Sequence, residues 1–342
     1  MRFHQEVQSR EAGLANSTLA TPIEQAEKER ALLHYFSAAE VEAGLDYPRL
    51  IDALSEAFHR GGEAMPVRQS YEVGTASNPG HLLTMPAWDR GKMLGVKLVT
   101  VFPQNSALNV GAVSSLYVLF DGVAGQPRAI IDGEALTNRR TAAASALASR
   151  HLSRPDSRTL LMVGTGRLAS YLPLAHRAVR PIDKVVVWGR SLHRAQIVAD
   201  ILARQGLDAI ATADLSSAVS TVDIISCATT SRDPLVAGRH LRPGTHVDLV
   251  GAFTREMRET DDDVVCRSRV FVDTYPGALN EAGDLIQPIA SGCWHAADIC
   301  GDLHELTSGA RPGRLSCNEI TLFKSVGVAA EDLAAASLLV GD

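Results

Sequence analysis

The sequence predicts an α/β fold in which a doubly wound parallel sheet is joined to a second, α+β domain. Beyond residue 157, short apolar runs alternate with helix-like stretches, the pattern of parallel strands linked by crossover helices. The first of these runs leads at once into a Gly-x-Gly-x-x-Ala turn at Gly164 to Ala169. From Val67 to Ile131, by contrast, the runs are short or alternating and broken by Gly, Pro and Asn, as in an antiparallel sheet.

The elements follow in order. Residues 5–30 have weak apolar periodicity and read either as a surface helix or as an unanchored tail, so residues 1–34 form an N-terminal extension. Ser37 to Glu40 spells a capping box. Tyr47 to Arg60 places Leu50, Ile51, Leu54, Ala57 and Phe58 on one helical face before a Gly61-Gly62 stop. Strand candidates are His81–Pro86, Gly95–Val101 and Ser115–Asp121, and Asn138–Leu152 is an alanine-rich helix ended by Pro155-Asp156. Buried strands are expected at Thr159–Val163, Lys184–Trp188, Ile224–Ala228, His246–Val250 and Val270–Asp273. Asn318–Leu339 reads as helical and as returning to the first domain. The expected division is therefore 35–152 rejoined by 316–342, and 153–315 between them.

Composition narrows the function classes. The 342 residues carry a formal charge of -6 with scattered bases, which gives no footprint for nucleic acid or an anionic membrane. With 46% hydrophobic residues and no apolar tract of membrane-spanning length, a small-molecule partner is expected. The polar N-terminus lacks the apolar core of a secretory signal, so the cytoplasm is the expected compartment. Five cysteines (Cys227, Cys266, Cys293, Cys300, Cys317) form no CxxC pair and read as reduced thiols.

The turn Gly164-Thr165-Gly166-Arg167-Leu168-Ala169 sits between a strand and an apolar helix through Val179, the setting of a Rossmann-type dinucleotide site. Gly164 permits the tight turn, Gly166 admits a pyrophosphate, and Ala169 lets helix pack on strand. The second strand ends Trp188-Gly189-Arg190-Ser191, with Arg194 nearby and no acid for the ribose hydroxyls. An acid there repels a 2'-phosphate and a guanidinium pairs with it, so NADP(H) is expected over NAD(H), which remains the alternative. Thr229 and Thr230, after the strand Ile224–Ala228, stand at the carboxyl edge where a doubly wound sheet presents ligands, or else cap the turn Ser231–Pro234. Val250 and Gly251 are placed in the same cofactor-binding set.

The first domain holds three cations in apolar or structured settings: Arg68, Lys97 inside Gly95-Val96-Lys97-Leu98-Val99, and Arg140 opening a helix. A charge within an apolar strand is costly unless paired, and together the three suit a substrate carboxylate.

These residues carry a resemblance. Lys97 to Asn105, the segment LTNRRTAAAS at Leu136 to Ser145, the GTGRLA turn, Pro243-Gly244-Thr245-His246 running into Val250-Gly251-Ala252, and Phe323 to Gly327 resemble the ornithine cyclodeaminase and mu-crystallin family over about residues 35–340. The resemblance implies a homodimer, a first domain that binds substrate and pairs with its twin, and Arg68, Lys97 and Arg140 as the carboxylate-binding residues. The chain departs from ornithine cyclodeaminases at two acids. Phe253 follows the Val250-Gly251-Ala252 turn where an acid is expected, and Thr84 stands at the position of the other. Phenylalanine neither accepts a proton nor pairs with an ammonium, so cyclodeamination loses its acid/base group unless Asp248 or Asp298 acts from elsewhere.

What the resemblance then implies is NADPH-dependent reduction of cyclic imino acids: Δ1-pyrroline-2-carboxylate to L-proline, Δ1-piperideine-2-carboxylate to L-pipecolate, or both. Arg68, Lys97 and Arg140 clamp the carboxylate and Phe253 walls the ring. Lys97 reads first as a carboxylate ligand and second as a catalytic group influencing imine protonation. The alternatives are an NAD-dependent ornithine cyclodeaminase or related amino-acid dehydrogenase, and a non-catalytic NADP-binding protein of crystallin type. Cys293, His295, Cys300 and His304 are too loosely spaced for a closed zinc site, and no metal is expected. Glu259 to Asp263 reads as the solvated start of a helix, and Asp273 as a strand end or a cofactor contact.

Overall fold

The computed structural model describes residues 33–341 except 62–64, 67 and 109, with the side chains of 106–108 also left aside. The expectation for residues 1–32 lies outside the described residues. Two sheets organise the rest. The antiparallel sheet comprises β1 (His34–Phe36), β2 (Gln69–Thr75), β3 (Asn78–Asp89), β4 (Met93–Val101), β5 (Val113–Asp121) and β6 (Pro127–Asp132), in the order β1-β6-β5-β4-β3-β2. The three strands expected here form, each one longer than its apolar run.

One face of this sheet is core. Met85, Ala87, Met93, Val99, Tyr117, Leu119, Ala129 and Ile131 are buried on it. They lie under the helices Gly133–Leu152 and Ala329–Val340, on which Tyr47–Arg60 packs in turn. Tyr47–Arg60 starts where Asp46 accepts the Arg49 amide (3.1 Å), and it buries Leu50, Ile51, Leu54 and Phe58. The capping box at Ser37 and Glu40 forms. Gly133–Leu152 begins five residues before the expected start because Asp132 caps it, accepting the Ala135 amide at 2.8 Å. Arg140 is therefore mid-helix rather than at its opening. The helix touches both sheets, and buried Ala142, Ala143, Ala144, Ala146 and Ala148 make that approach sterically possible.

The opposite face alternates with the core positions and is apolar too: Leu82, Leu94, Val96, Leu98, Val118, Phe120 and Ile130 are half-buried, and Leu116 is 43% exposed.

The parallel sheet comprises β7 (Thr159–Val163), β8 (Lys184–Trp188), β9 (Asp208–Thr212), β10 (Ile224–Cys227), β11 (His246–Leu249), β12 (Ser268–Val272), β13 (Ile299–Asp302) and β14 (Ile320–Lys324), ordered β13-β12-β14-β11-β10-β7-β8-β9. From β7 the chain proceeds outward through β8 and β9, then returns to the other side of β7 with β10. This reversal is the topological switch point at which such sheets bind ligands.

Two expectations are corrected. Ile320–Lys324 is not helix but a strand paired in parallel with both β11 and β12, so the return to the first layer starts after Lys324 rather than at residue 316. Its β-branched and aromatic residues are buried throughout, which suits a central strand. The uninterrupted helix expected after the glycine turn is a 3-10 turn, Arg167–Ser170, followed by a short α-helix, Leu172–Arg177, with Pro173 in its first turn. Pro173 has no amide to continue an earlier helical ladder, so the α-helix restarts there. No described helix is long and apolar enough to cross a membrane.

Candidate active site

The dinucleotide turn has the geometry its glycines predict. Gly164 adopts φ +124°, donates its amide to Trp188 O (2.9 Å), and leaves no room for a side chain: a Cβ would lie 2.6 Å from Ala228 O. A Cβ on Gly166 would meet nothing within 4 Å, so the space a pyrophosphate needs is open. Ala169 is fully buried, Leu168 packs partly against the core, and the Thr165 methyl lies close over Gly189. Arg167 pairs with Glu134 (2.9 Å), linking this turn to the helix Gly133–Leu152.

At the end of β8, Arg190 is exposed, and its guanidinium forms no ion pair among the described residues. Ser191 is spent as a cap, accepting the Arg194 amide at 3.4 Å, and Arg194 is exposed beside it. The residues present thus fit a dinucleotide, with Gly164 to Ala169 to cradle it and Arg190 and Arg194 open to its ribose end.

The three cations come together. Register places Tyr117, Lys97 and Met85 side by side across β5, β4 and β3, and Gln69 of β2 opposite Thr84. Arg68, one residue before Gln69, continues that row on the same face. Arg140 reaches it from the helix above. Lys97 donates to both carboxylate oxygens of Asp332 (3.1 Å each). Arg140 donates Nε to Asp332 (3.1 Å) and Nη1 to Glu331. Arg68 pairs more loosely with Glu281 (3.6 Å), and its Nε is buried without a partner.

Burial is the physical theme of this cluster. Lys97 is 4% exposed and its ammonium is pulled down to about 8, by burial first and then by the Arg140 charge; Asp332 opposes the shift. Burial likewise pushes Glu331 up to about 7, against the attraction of Arg140. The neighbouring charges of Asp273 and Asp332 push in the same direction as burial. The Tyr117 hydroxyl, also buried and without a partner, lies near enough to Asp332 to feel its charge.

The other wall is the carboxyl edge of the parallel sheet. Asp273, at the end of β12, accepts the amides of Thr274 (2.7 Å), Val326 (2.7 Å) and Gly327 (2.8 Å), so it shapes the turn after β14. Gly327 has φ +82°, and a Cβ there would lie 2.6 Å from Arg140 Nη1. The turn therefore seats the guanidinium. Phe253 follows Val250, Gly251 and Ala252 at the end of β11 and is 41% exposed.

Several sequence expectations change here. Thr84 pairs with Leu98, not Lys97, and stands on the opposite face of the sheet from the cations. Asp248 has no freedom to act as a substitute acid: fully buried, it accepts from Ser145 (2.9 Å) and Ser226 (2.7 Å) and contacts His176 (3.3 Å). Asp298 precedes β13, on the amino side of the sheet's edge strand, away from the carboxyl edge. Glu259 is not solvated. It is fully buried, whereas Asp261 caps the helix Asp262–Arg267 as expected of that run. Thr230 is exposed at the sheet edge, while the Thr229 hydroxyl turns inward to Glu259 (2.8 Å) and accepts the Ser231 amide (3.3 Å). Among the cysteines and histidines weighed for zinc, Cys293 lies against Cys266 and His304 bonds Phe58 O. No group of three metal-binding side chains forms among the described residues. Sequence reasoning missed Asp332, Glu331, Glu281 and Tyr117. Glu331 and Asp332 carried one signal, acid in the first turn of an otherwise apolar, alanine-rich helix; Glu281, at the end of a short helix, and Tyr117, inside a strand, carried none.

A doubly wound sheet with an open glycine turn at its switch point, faced by a buried cationic cluster, defines a dinucleotide-dependent enzyme for a small anionic substrate. The chain belongs to the ornithine cyclodeaminase/mu-crystallin family, whose model matches residues 33–341. It is 38% identical over 309 residues to a Delta(1)-pyrroline-2-carboxylate reductase of Colwellia psychrerythraea, covering 89% of this chain and 97% of the relative. Its structure is similar to that of the Thermococcus litoralis Delta(1)-pyrroline-2-carboxylate reductase in complex with NADH and L-proline. The TM-score is 0.84 at 33% identity, covering 90% of this chain and 96% of the other. An archaeal alanine dehydrogenase dimer with bound NAD follows, with TM-score 0.81, 27% identity, and 90% and 95% coverage. The chain is accordingly a nicotinamide-dependent oxidoreductase of the class acting on CH–NH and C=N bonds.

Proposed function

We propose that the protein reduces cyclic imino acids with NADPH, converting Δ1-pyrroline-2-carboxylate to L-proline, Δ1-piperideine-2-carboxylate to L-pipecolate, or both. The observation that carries this reading is the row of Arg68 and Lys97 joined by Arg140, opposite a sheet edge where Phe253 stands in place of an acid. Arg68, Lys97 and Arg140 bind the carboxylate, with Asp332 holding Lys97 and Arg140 at fixed spacing. Gly164, Thr165, Gly166, Arg167, Leu168 and Ala169 would hold a nicotinamide cofactor, which when bound would supply the hydride. Phe253 offers an apolar surface to the ring and helps exclude water. Nothing at that position takes the proton that ornithine cyclodeamination requires.

NADPH is favoured because Arg190 is open at the end of β8 and no acid follows Trp188. The bound NADH and NAD of the two similar structures favour the second reading, NAD(H). Residues 35–152 with the C-terminal helix form the substrate-binding and dimerisation domain, and the parallel sheet the cofactor domain. A homodimer is supported by the apolar outer face of the antiparallel sheet around Leu116, Val118 and Phe120, a surface suited to a second copy of the same sheet. The cytoplasm is the compartment consistent with the free thiols Cys227, Cys266, Cys293, Cys300 and Cys317.

The test is cofactor oxidation with each imine, using NADPH and NADH in parallel and ornithine with NAD as control. Turnover of an imine with ornithine inert supports the reading, and turnover of ornithine alone overturns it.

A further inference from the structure

A buried acid outside the cationic cluster has no part in the reaction as described. Glu259 is fully buried, and its carboxylate is saturated by donors from two turns. One oxygen accepts the amide (2.7 Å) and hydroxyl (2.8 Å) of Thr229, at the end of β10. The other accepts the amides of Gly251 (2.8 Å) and Ala252 (3.3 Å), at the end of β11. Glu259 is itself held from behind. Asp284 accepts the Glu259 amide (2.8 Å) and the Thr260 amide (3.1 Å), and it pairs with buried Lys324 (3.4 Å).

Such an arrangement needs a reason: burial pushes Glu259 up to about 7, and the ionised form is held against that cost by the Lys324 charge and by donors on both oxygens. Here the donors are turns of neighbouring strands at the carboxyl edge, the Thr229 turn bordering the switch point between β7 and β10 and the 251–252 turn one strand further on. Gly251 fits the arrangement in a second way. A Cβ there would strike the backbone of Thr229 and lie 2.5 Å from the Glu259 carboxylate, so the two turns approach as closely as backbone permits.

We propose that Glu259 is a positioning residue of the cofactor site, joining the 229 and 251–252 turns into one rigid rim against which the dinucleotide binds. The inference rests on the imine-reductase reading for its catalytic consequence, though not for its binding consequence. Glu259→Gln keeps the volume but turns an NH2 toward one pair of donors, which leaves those donors unpaired. The Arg68, Lys97 and Arg140 cluster is anchored to Asp332, Glu331 and Glu281 and shares no hydrogen bond with Glu259 among the described residues. The carboxylate clamp is thus not bonded to Glu259, and the substrate wall at Phe253, which adjoins Ala252, is where the two meet.

The experiment measures NADH and NADPH binding by nicotinamide fluorescence on the full chain, wild type and Glu259→Gln, together with imine kinetics. Loss of a charged acceptor for two buried donors weakens both cofactors by about tenfold or more and lowers kcat, while the KM of the imine changes less than about threefold. Glu259→Asp, which keeps the charge but retracts it from the turns, shows the same split rather than rescue. Unaltered cofactor affinity in Glu259→Gln overturns the proposal, as does an imine KM that rises in step with it. Should the variants fail to fold, amide hydrogen exchange on the cofactor-free wild type decides. The Thr229, Gly251 and Ala252 amides are protected if Glu259 clamps them, and free exchange there refutes it. A wild type that binds cofactor but reduces neither imine sinks the functional reading and leaves this test standing.

Discussion

Replacing Asp332 by Asn removes the one carboxylate shared by two buried cations. Asp332 is fully buried and receives two hydrogen bonds from Lys97 and one from Arg140, all at 3.1 Å. Breaking a buried ion pair from one side costs about 3–5 kcal/mol, so the melting temperature falls by on the order of 10 °C. The more specific effect is on protonation. Lys97 stands at about 8 because burial and Arg140 lower it while Asp332 raises it, and without Asp332 it falls further. A clamp needs the ammonium form. In the wild type, kcat/KM for a carboxylate-bearing imine therefore declines as pH rises through about 8, since kcat/KM reports the free enzyme. In Asp332→Asn the decline starts at lower pH. The assay is kcat/KM against pH for both proteins, at temperatures where both are folded. A basic limb that stays in place in the variant refutes the assignment of that limb to Lys97 and the coupling through Asp332.

Other variants probe the remaining parts. Arg190→Asp shifts the ratio of NADPH to NADH efficiency toward NADH by about 10- to 100-fold, the worth of a charged hydrogen-bonding pair; an unchanged ratio removes Arg190 from the 2'-phosphate site. Gly327→Ala places a side chain in the left-handed region, costing about 1–2 kcal/mol, and presses on Arg140 Nη1. Thermal melting drops and the imine KM rises several-fold, whereas a stable variant with wild-type KM shows that the turn does not seat the guanidinium. Leu116→Glu puts a charge on the apolar outer face of the antiparallel sheet, and light scattering then reports a monomer; a dimer of unchanged stability places the interface elsewhere.

Much of the parallel sheet was legible because most of its strands are short apolar runs bounded by polar turns. Thr159–Val163 and Lys184–Trp188 fall where the sequence puts them, to the residue. β9 and β13 escaped notice: one is an exposed edge strand of mostly small residues, the other has a single strong strand former in Ile299. Ile320–Lys324 reads as helix in the sequence because it runs on toward an alanine-rich segment, and only tertiary pairing on both sides reveals the strand. At the site, Arg68, Lys97 and Arg140 stood out as cations in apolar settings. Their counter-ions did not, because acids in the first turn of a helix are already explained by its dipole, as at Glu331 and Asp332. Glu259 was hidden for a similar reason, as the head of an acidic run whose later members are solvated.

The central claim is that a buried cationic row selects a carboxylate on a cyclic imine. The most direct measurement compares kcat/KM for Δ1-pyrroline-2-carboxylate with that for Δ1-pyrroline, which has the same ring and C=N bond but no carboxylate. The clamp predicts a preference of at least about 1000-fold, since losing the anion leaves buried charged donors unmatched. Equal turnover of the two rings, or no turnover of the carboxylate, would contradict it.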